Sequence, residues 1–429
     1  MLSSDIVKDI RYNVSLPFDL INKINQVCLI NFPERSSDFS ELVLNLYLFI
    51  FLCSNTNDNY YTNIHRKDLS KFKKKYKGKT YNYTYFLQIL TKLNAIKVND
   101  KYSVGNFTKS YAITNYYNNS ILTTYTIKPS LIFLNKIDKK TLIESNKEYS
   151  TLINNLYSFK VDIEQMNNYL ISNKYKYIKT KKVITKDSVK IKRITLDNAT
   201  ILRYQLQALK VNFEAHFFTR DAYRRVHTLY TTLPSLLHPF LKHNNQTIYT
   251  LDAANSQPLL LNTLINNSKF KQHTEQGIFY TVFAHEIIRL KKQQLKESVF
   301  TQFTTKYNIT PTSQKQFITD YIKPLVYQIL FSSKELMYSN SFAYDALCNL
   351  YGVNFIADLE ALRKQGNLAT RLQSIEASIF IDEFSNDKNL VTKHDCLIVP
   401  SNKANQYKNR LEQIYKDKLN LNVTFKINE

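Results

Sequence analysis

The sequence predicts a helix-rich α+β protein, and three observations lead there. Stretches with helical apolar spacing are long and frequent, as in residues 83–94 (YTYFLQILTKLN), where Phe86, Leu87, Leu90 and Leu93 share one face. Short β-rich segments such as 247–252 (TIYTLD) and 396–399 (CLIV) interrupt the helical stretches. The 429 residues, 44% of them hydrophobic, suffice for two or three domains with ordinary cores.

Taken in order, the N-terminal residues MLSSDIVKDIRYNV lack a basic start followed by an apolar run, so no secretory signal is expected. Ser36-Ser37-Asp38 offers a helix start, and the helix runs on through LVLNLYLFIFLC (42–53). That run is too short to span a bilayer and carries Asn45, which predicts a buried core helix and no membrane partner. Residues 65–75 read as a short second helix and 83–94 as a third. Residues 96–105 and 107–114 read as two strands, with Asn106 near the tip of a hairpin. Three helices followed by a β-hairpin is the order of a winged helix-turn-helix, whose third helix enters a major groove while the wing touches backbone. Residues 1–120 are therefore expected to form a winged-helix-like DNA-binding domain.

Charge agrees with that expectation. The formal net charge is +23, and a surface so far from neutral asks for a polyanion: nucleic acid first, an anionic membrane surface second. Arg66, Lys67, Lys71, Lys73, Lys74, Lys75, Lys77 and Lys79 crowd the approach to the third helix. Such a cluster suits phosphate contacts, which fix position without reading sequence; a solvated lysine-rich loop has the same composition. Residues 121–214 are expected to be a basic connecting or thumb-like region. Its densest stretch, 174–193, interleaves lysines with Tyr175 and Tyr177, the pattern of a nucleic-acid track and equally of an exposed basic loop. Cys28, Cys53, Cys348 and Cys396 form no C-x-x-C pair and no zinc-spaced cluster, so reduced, buried cysteines of a cytoplasmic protein are expected. There is no repeat of fixed period, and with five Gly and nine Pro no linker announces itself. The heavy use of Asn, Lys and Tyr fits an AT-rich coding sequence and bears on origin alone.

From about residue 200, helices and strands alternate: a helix over 198–217, a strand over 247–252 ending in a carboxylate, a helix-rich stretch to about 382, a strand at 396–399, a helix over 403–419 and a final strand NVTFKI. Two acids stand out. Asp252 ends its strand and is followed by a polar turn in YTLDAANSQPLLL (249–261); alone, it is as well explained as a helix cap. Asp395, preceded by His394, lies between β-rich segments in VTKHDCLIV (391–399), which suits a hairpin tip. Distant in sequence, the two acids can converge on adjacent strands. Phosphoryl transfer uses such a pair: two Mg2+ ions roughly 4 Å apart clamp the attacking and leaving oxygens, and carboxylates supply the hard ligands. Mn2+ is the expected substitute.

With these motifs in view, residues 215–429 resemble family A DNA polymerases and the related phage-type single-subunit RNA polymerases. DAANSQPLLL is similar to their first palm motif, with Ser256 at the spacing of the RNA polymerases and Gln257 beside it, and KHDCLIV is similar to their His-Asp motif. RRVHTLYTTLPSLLHPFL (224–241) is similar to the segment whose Arg, here Arg225, contacts the template–primer backbone. LATRLQSIEASIFID (368–382) resembles the helix supporting the His-Asp hairpin, through Gln373 and Glu376. YIKPLVYQILFSS (321–333) resembles the fingers helix, in which Lys323 grips the triphosphate and Phe331 lies under the sugar; positions 323, 327 and 331 share a helical face, which adds Tyr327. The pattern departs from the family at Thr319, where an Arg is usual, at Ser332, where a Gly is usual, and at Pro324. Phe331 lacks the hydroxyl of the RNA-making members, while no bulky acid follows Asp252 to exclude ribose, so the sugar preference stays open.

The resemblance implies a palm with inserted helical fingers over residues 215–429. It implies template-directed nucleotidyl transfer on DNA with nucleoside triphosphates, with His394 near the primer terminus, in the replication of a mobile element. A DNA-binding replication initiator or regulator with a catalytically silent polymerase-like half is the alternative, and an untemplated or priming nucleotidyltransferase is a third. No residues suggest a proofreading exonuclease, and oligomeric state is not legible.

Overall fold

The computed structural model describes residues 11–54, 61–99, 109–127, 132–133, 136–184, 189–310, 314–331 and 341–428, and the side chains of 177–194, 331 and 341 fall outside that description. The architecture is helix-rich α+β. The chain forms two compact units: residues 1–138, 160–216 and 233–241 make the first, and 139–159, 217–232 and 242–429 the second.

The first unit is built on the apolar helix Ser36–Cys53. Twelve of its eighteen residues are buried, from Phe39 to Phe51. By length and composition the stretch Pro33–Cys53 would reach across a membrane, but most of it is buried inside the unit's own core. Asn45, fully buried, has its amide donate to the Glu41 carbonyl one turn back at 2.8 Å, so the polar group is tolerated inside. Phe32 stacks on Phe39 with ring centroids 3.8 Å apart and meets Tyr81 edge-on at 4.8 Å. The N-terminal strand Tyr12–Pro17 pairs antiparallel with Leu122–Ile127, and the Gln205 side chain on helix Asn198–Asn212 accepts from the Ser15 amide at 2.8 Å.

After the apolar helix come the short strand Thr62–Asn63, helix Arg66–Leu69, helix Tyr83–Lys92 and strands Ile96–Asn99 and Ser110–Ile113. The strands form a three-stranded antiparallel sheet with Ser110–Ile113 in the centre. The hairpin tip expected at Asn106 lies outside the described residues. The second helix is shorter than the 65–75 expected. It stops at Leu69, and Lys74–Tyr76 pairs with Lys79–Tyr81 in a tight hairpin. The reason is the Lys77-Gly78 dipeptide: both residues adopt positive φ, 46° and 78°, the conformation a two-residue hairpin loop requires. Helix Tyr83–Lys92 starts on Asn82, whose side chain accepts from the Thr84 amide, and buries Phe86, Leu87, Ile89 and Leu90.

The second unit is organised by one long strand, Gln246–Ala253. Along one edge it pairs antiparallel with Cys396–Pro400, which in turn pairs with Val391–Lys393. Along the other edge it pairs first with the end of Leu241–His243 and then with the C-terminal strand Phe425–Asn428. Asn244 and Asn245, at φ 49° and 65°, make the tight turn into the long strand. Leu251, Leu397, Ile398 and Val399 are fully buried, with helix Ala404–Leu419 contributing Leu411 and Tyr415 to the same core. Between the two central strands the chain is mostly helical: Phe279–Gln294, Glu297–Lys306, Lys323–Phe331, Ser341–Tyr351, Val353–Lys364 and Leu368–Ala377.

Candidate active site

Asp252 sits near the end of the long strand, opposite Cys396 on one side and Lys426 on the other. Asp395 lies in the two-residue turn between Val391–Lys393 and Cys396–Pro400, and its carbonyl accepts from the Ala253 amide at 3.2 Å. The two acids that the sequence singles out are therefore neighbours across adjacent strand ends, and both line one cavity of about 590 Å³. Asp252 caps no helix: the cap of the following helix Ser256–Leu261 is Asn255, held at φ 56°. His394 takes φ 52°, an uncommon conformation for a non-glycine residue, and turns the chain so that the next residue enters the cavity.

Burial raises the pKa of Asp252, against the pull of Lys323, Lys426 and Lys393. Burial also raises that of Asp395, and the neighbouring Asp252 charge adds to it, while Arg225 and Lys323 oppose it. Like charges confined together disfavour ionisation of both, so a cation placed between them would be strongly held. Among the described residues no group of three or more His, Cys, Asp or Glu side chains converges on a metal position. Two aspartates with only oxygen donors suit Mg2+, which keeps waters and takes further ligands from substrate phosphates.

A third acid backs the pair. Glu376 on helix Leu368–Ala377 is 1% exposed and meets the Arg225 guanidinium at 2.6 Å. It also accepts from the Gln257 amide at 2.5 Å. Burial and then the Asp395 charge push its carboxyl upward, and Arg225 and Gln257 resist that shift. Arg225 belongs to the hairpin Phe218–Arg220/Val226–Thr228, whose turn is held by Asp221 accepting from the Tyr223 and Arg225 amides at 2.9 and 3.0 Å. Asp221 also contacts His227 Nε2 at 2.9 Å, and the His227 ring meets His394 edge-on at 5.7 Å. Burial, then Arg225, His227 and Lys393, lower the His394 pKa to about 4, so its ring is neutral at physiological pH.

Facing the carboxylates is helix Lys323–Phe331. Lys323 and Tyr327, one turn apart, are exposed on their helix and line the cavity. The side chain of Phe331 lies outside the described residues. A π-helical segment, Ile318–Ile322, precedes this helix and ends just before Pro324, whose nitrogen cannot donate to the preceding turn. The Lys323 ammonium lies 5.5 Å from the centre of the Tyr280 ring, a cation–π contact that holds it over the cavity. Tyr280 stands in the first turn of helix Phe279–Gln294, whose approach is through Gly277 at φ 72°. A side chain there would be strained, and its Cβ would lie 3.4 Å from that of Ala254 beside the site.

Of the expected site residues, Asp252, Asp395, Ser256, Gln257, Lys323 and Tyr327 meet at one cavity, and Arg225 and His394 lie directly behind it. Gln257 spends its amide on Glu376, so its nearest partner is structural. Gln373 is half-buried one turn before Glu376 and does not line the cavity. In the first unit Arg66, Lys67, Lys71, Lys73 and Lys75 are exposed, while Lys74 is half-buried and paired with Asp38 at 3.1 Å. All four cysteines are free as expected, but only Cys28 is buried; Cys53 closes its helix, Cys348 lies within helix Ser341–Tyr351 and Cys396 opens its strand, each partly exposed. Sequence reasoning missed Tyr280, Asp221, His227 and Lys426, none of which stands in a motif of its own. No protein-family model matches this chain, and no match is found among curated proteins.

Proposed function

We propose that the second unit is a nucleotidyltransferase of the polymerase type, acting on nucleic acid with nucleoside triphosphates and two Mg2+ ions. The observation that carries this reading is the meeting of Asp252 and Asp395 at adjacent strand ends, with Lys323 facing both across a cavity wide enough for a nucleotide. Asp252 and Asp395 would hold the ions, which when bound make a 3′-hydroxyl more acidic and offset charge on the phosphates. Lys323, steadied by Tyr280, neutralises charge growing on the departing pyrophosphate. Neutral His394 and the Arg225–Glu376 pair keep the Asp395 turn in place. In this reading the strands around Asp252 are a palm and the helices between Phe279 and Lys364 are reduced fingers.

We further infer that the first unit is a winged-helix-like DNA-binding module. Three helices followed by two paired strands support this, with the hairpin Lys74–Tyr81 set between the second and third helices, as do the exposed lysines before the third helix. The enzymatic claim is tested by supplying the full chain with primed and unprimed template, Mg2+, and ribo- or deoxynucleotides. Asp252→Asn and Asp395→Asn should each abolish incorporation while leaving the circular-dichroism spectrum intact. Incorporation at the wild-type rate by both variants would refute the assignment, and absence of wild-type activity with every substrate would favour the silent initiator instead.

A further inference from the structure

The cavity holds more positive charge than the catalytic reading uses. Besides Lys323, it is lined by Lys426 from the C-terminal strand and by Lys315 from the short helical turn before the π-helical segment. Lys426 stands directly opposite Asp252 in the strand register, so its position is fixed by backbone pairing and not by a loop. Lys315 and Lys426 are both exposed, and neither forms an ion pair with an acidic side chain among the described residues. The opening turns of helix Phe279–Gln294, with Tyr280 and Thr281, face the same space, adding the positive end of a sixteen-residue helix dipole. Thr319, also on the wall, offers no charge of its own.

We propose that Lys426 and Lys315 are phosphate-binding residues of this cavity, recognising the outer phosphates of an inorganic or nucleoside polyphosphate. This deepens the nucleotidyl-transfer reading and rests on it for the nucleotide, though not for the polyphosphate. Two aspartates in the cavity wall repel a bare polyanion, so Lys426 beside Asp252 and Lys315 on the helical turn ahead of Lys323 must add the cationic contacts that draw it in. Lysine fits the task, because a flexible ammonium donates to phosphate oxygens from several angles. The C-terminal strand thereby acquires a binding role besides closing the sheet edge.

The test uses the full chain and tripolyphosphate as probe, by calorimetry in EDTA, alongside steady-state incorporation. Lys426→Gln and Lys315→Gln should each weaken tripolyphosphate binding about tenfold or more, the loss expected for one charge-assisted contact. Each should raise KM for the nucleotide similarly with a smaller change in kcat, and Lys426→Arg should restore most of the binding. Asp252→Asn should bind tripolyphosphate at least as tightly as wild type. Lysine-dependent binding without any incorporation would leave this inference standing while the polymerase reading fell. Wild-type tripolyphosphate affinity in both Gln variants, or no binding by the wild type, would overturn it, even in a chain that incorporates nucleotides.

Discussion

Replacing Asp395 by Asn should stabilise the metal-free protein while silencing it. The Asp395 carboxyl is half-buried beside Asp252; burial first, and the Asp252 charge second, move its pKa from 3.8 to about 6. The folded protein thus holds that proton more tightly than the unfolded chain does. Its ionisation consequently costs nothing below the unfolded value and the full amount above about pH 6. Two units at about 1.4 kcal/mol each bound the cost near 3 kcal/mol. Solvent reaching the half-buried carboxylate screens this to about 1–2 kcal/mol. Asn has nearly the same shape and no charge, so it removes the cost. At roughly 2–4 °C per kcal/mol for a unit of this size, the variant should melt roughly 2–8 °C above wild type at pH 8 in EDTA. The difference should vanish near pH 4, and Mg2+ should raise the melting temperature of wild type more than that of the variant. With 31 tyrosines and no tryptophan, tyrosine fluorescence is the natural reporter. An Asn variant that melts at or below wild type at pH 8 without metal would refute the argument that burial and the Asp252 charge burden the Asp395 carboxylate.

Two further outcomes follow from the same structure. Arg225→Met should destabilise the second unit by about 3 kcal/mol, because it leaves Glu376 buried and unpaired; adding Glu376→Met should recover much of that loss in the double variant, and wild-type stability in the single variant would show that the pair is not buried in solution. Charge reversal at Lys67, Lys71, Lys73 and Lys75 in the full chain should weaken duplex DNA binding and flatten its dependence on log salt by up to about one unit for each lysine that contacts a phosphate. An unchanged slope would separate those lysines from the DNA.

The parts legible in the sequence were those with strong local signals. The helix at 36–53, the Asn82-capped helix and the strand ending at Asp252 are fixed by apolar period and turn chemistry, and the structure has them within a residue or two. The stretch 65–75 misled because lysines favour helix weakly, whereas the positive-φ pair Lys77-Gly78 commits the chain to a hairpin. Asp252 and Asp395 stood out because one ends a β-rich segment, the other suits a hairpin tip, and both lie in motifs that resemble the polymerase palm. Lys426 and Tyr280 did not, since a lysine in a short strand and a tyrosine opening a helix are ordinary locally. Their role comes from what the sheet register and the Gly277 turn place across from them. Glu376 was legible as a polar group on a supporting helix, but its burial against Arg225 and Gln257 depends on three distant segments meeting.

The most direct test is crystallographic. The full chain would be bound to a primed template, a non-hydrolysable nucleoside triphosphate and Mn2+, with anomalous data collected at the manganese edge. Two peaks roughly 4 Å apart between the Asp252 and Asp395 carboxylates, with the triphosphate reaching toward Lys323, are predicted. A cavity that binds the nucleotide with no manganese at either aspartate would contradict it.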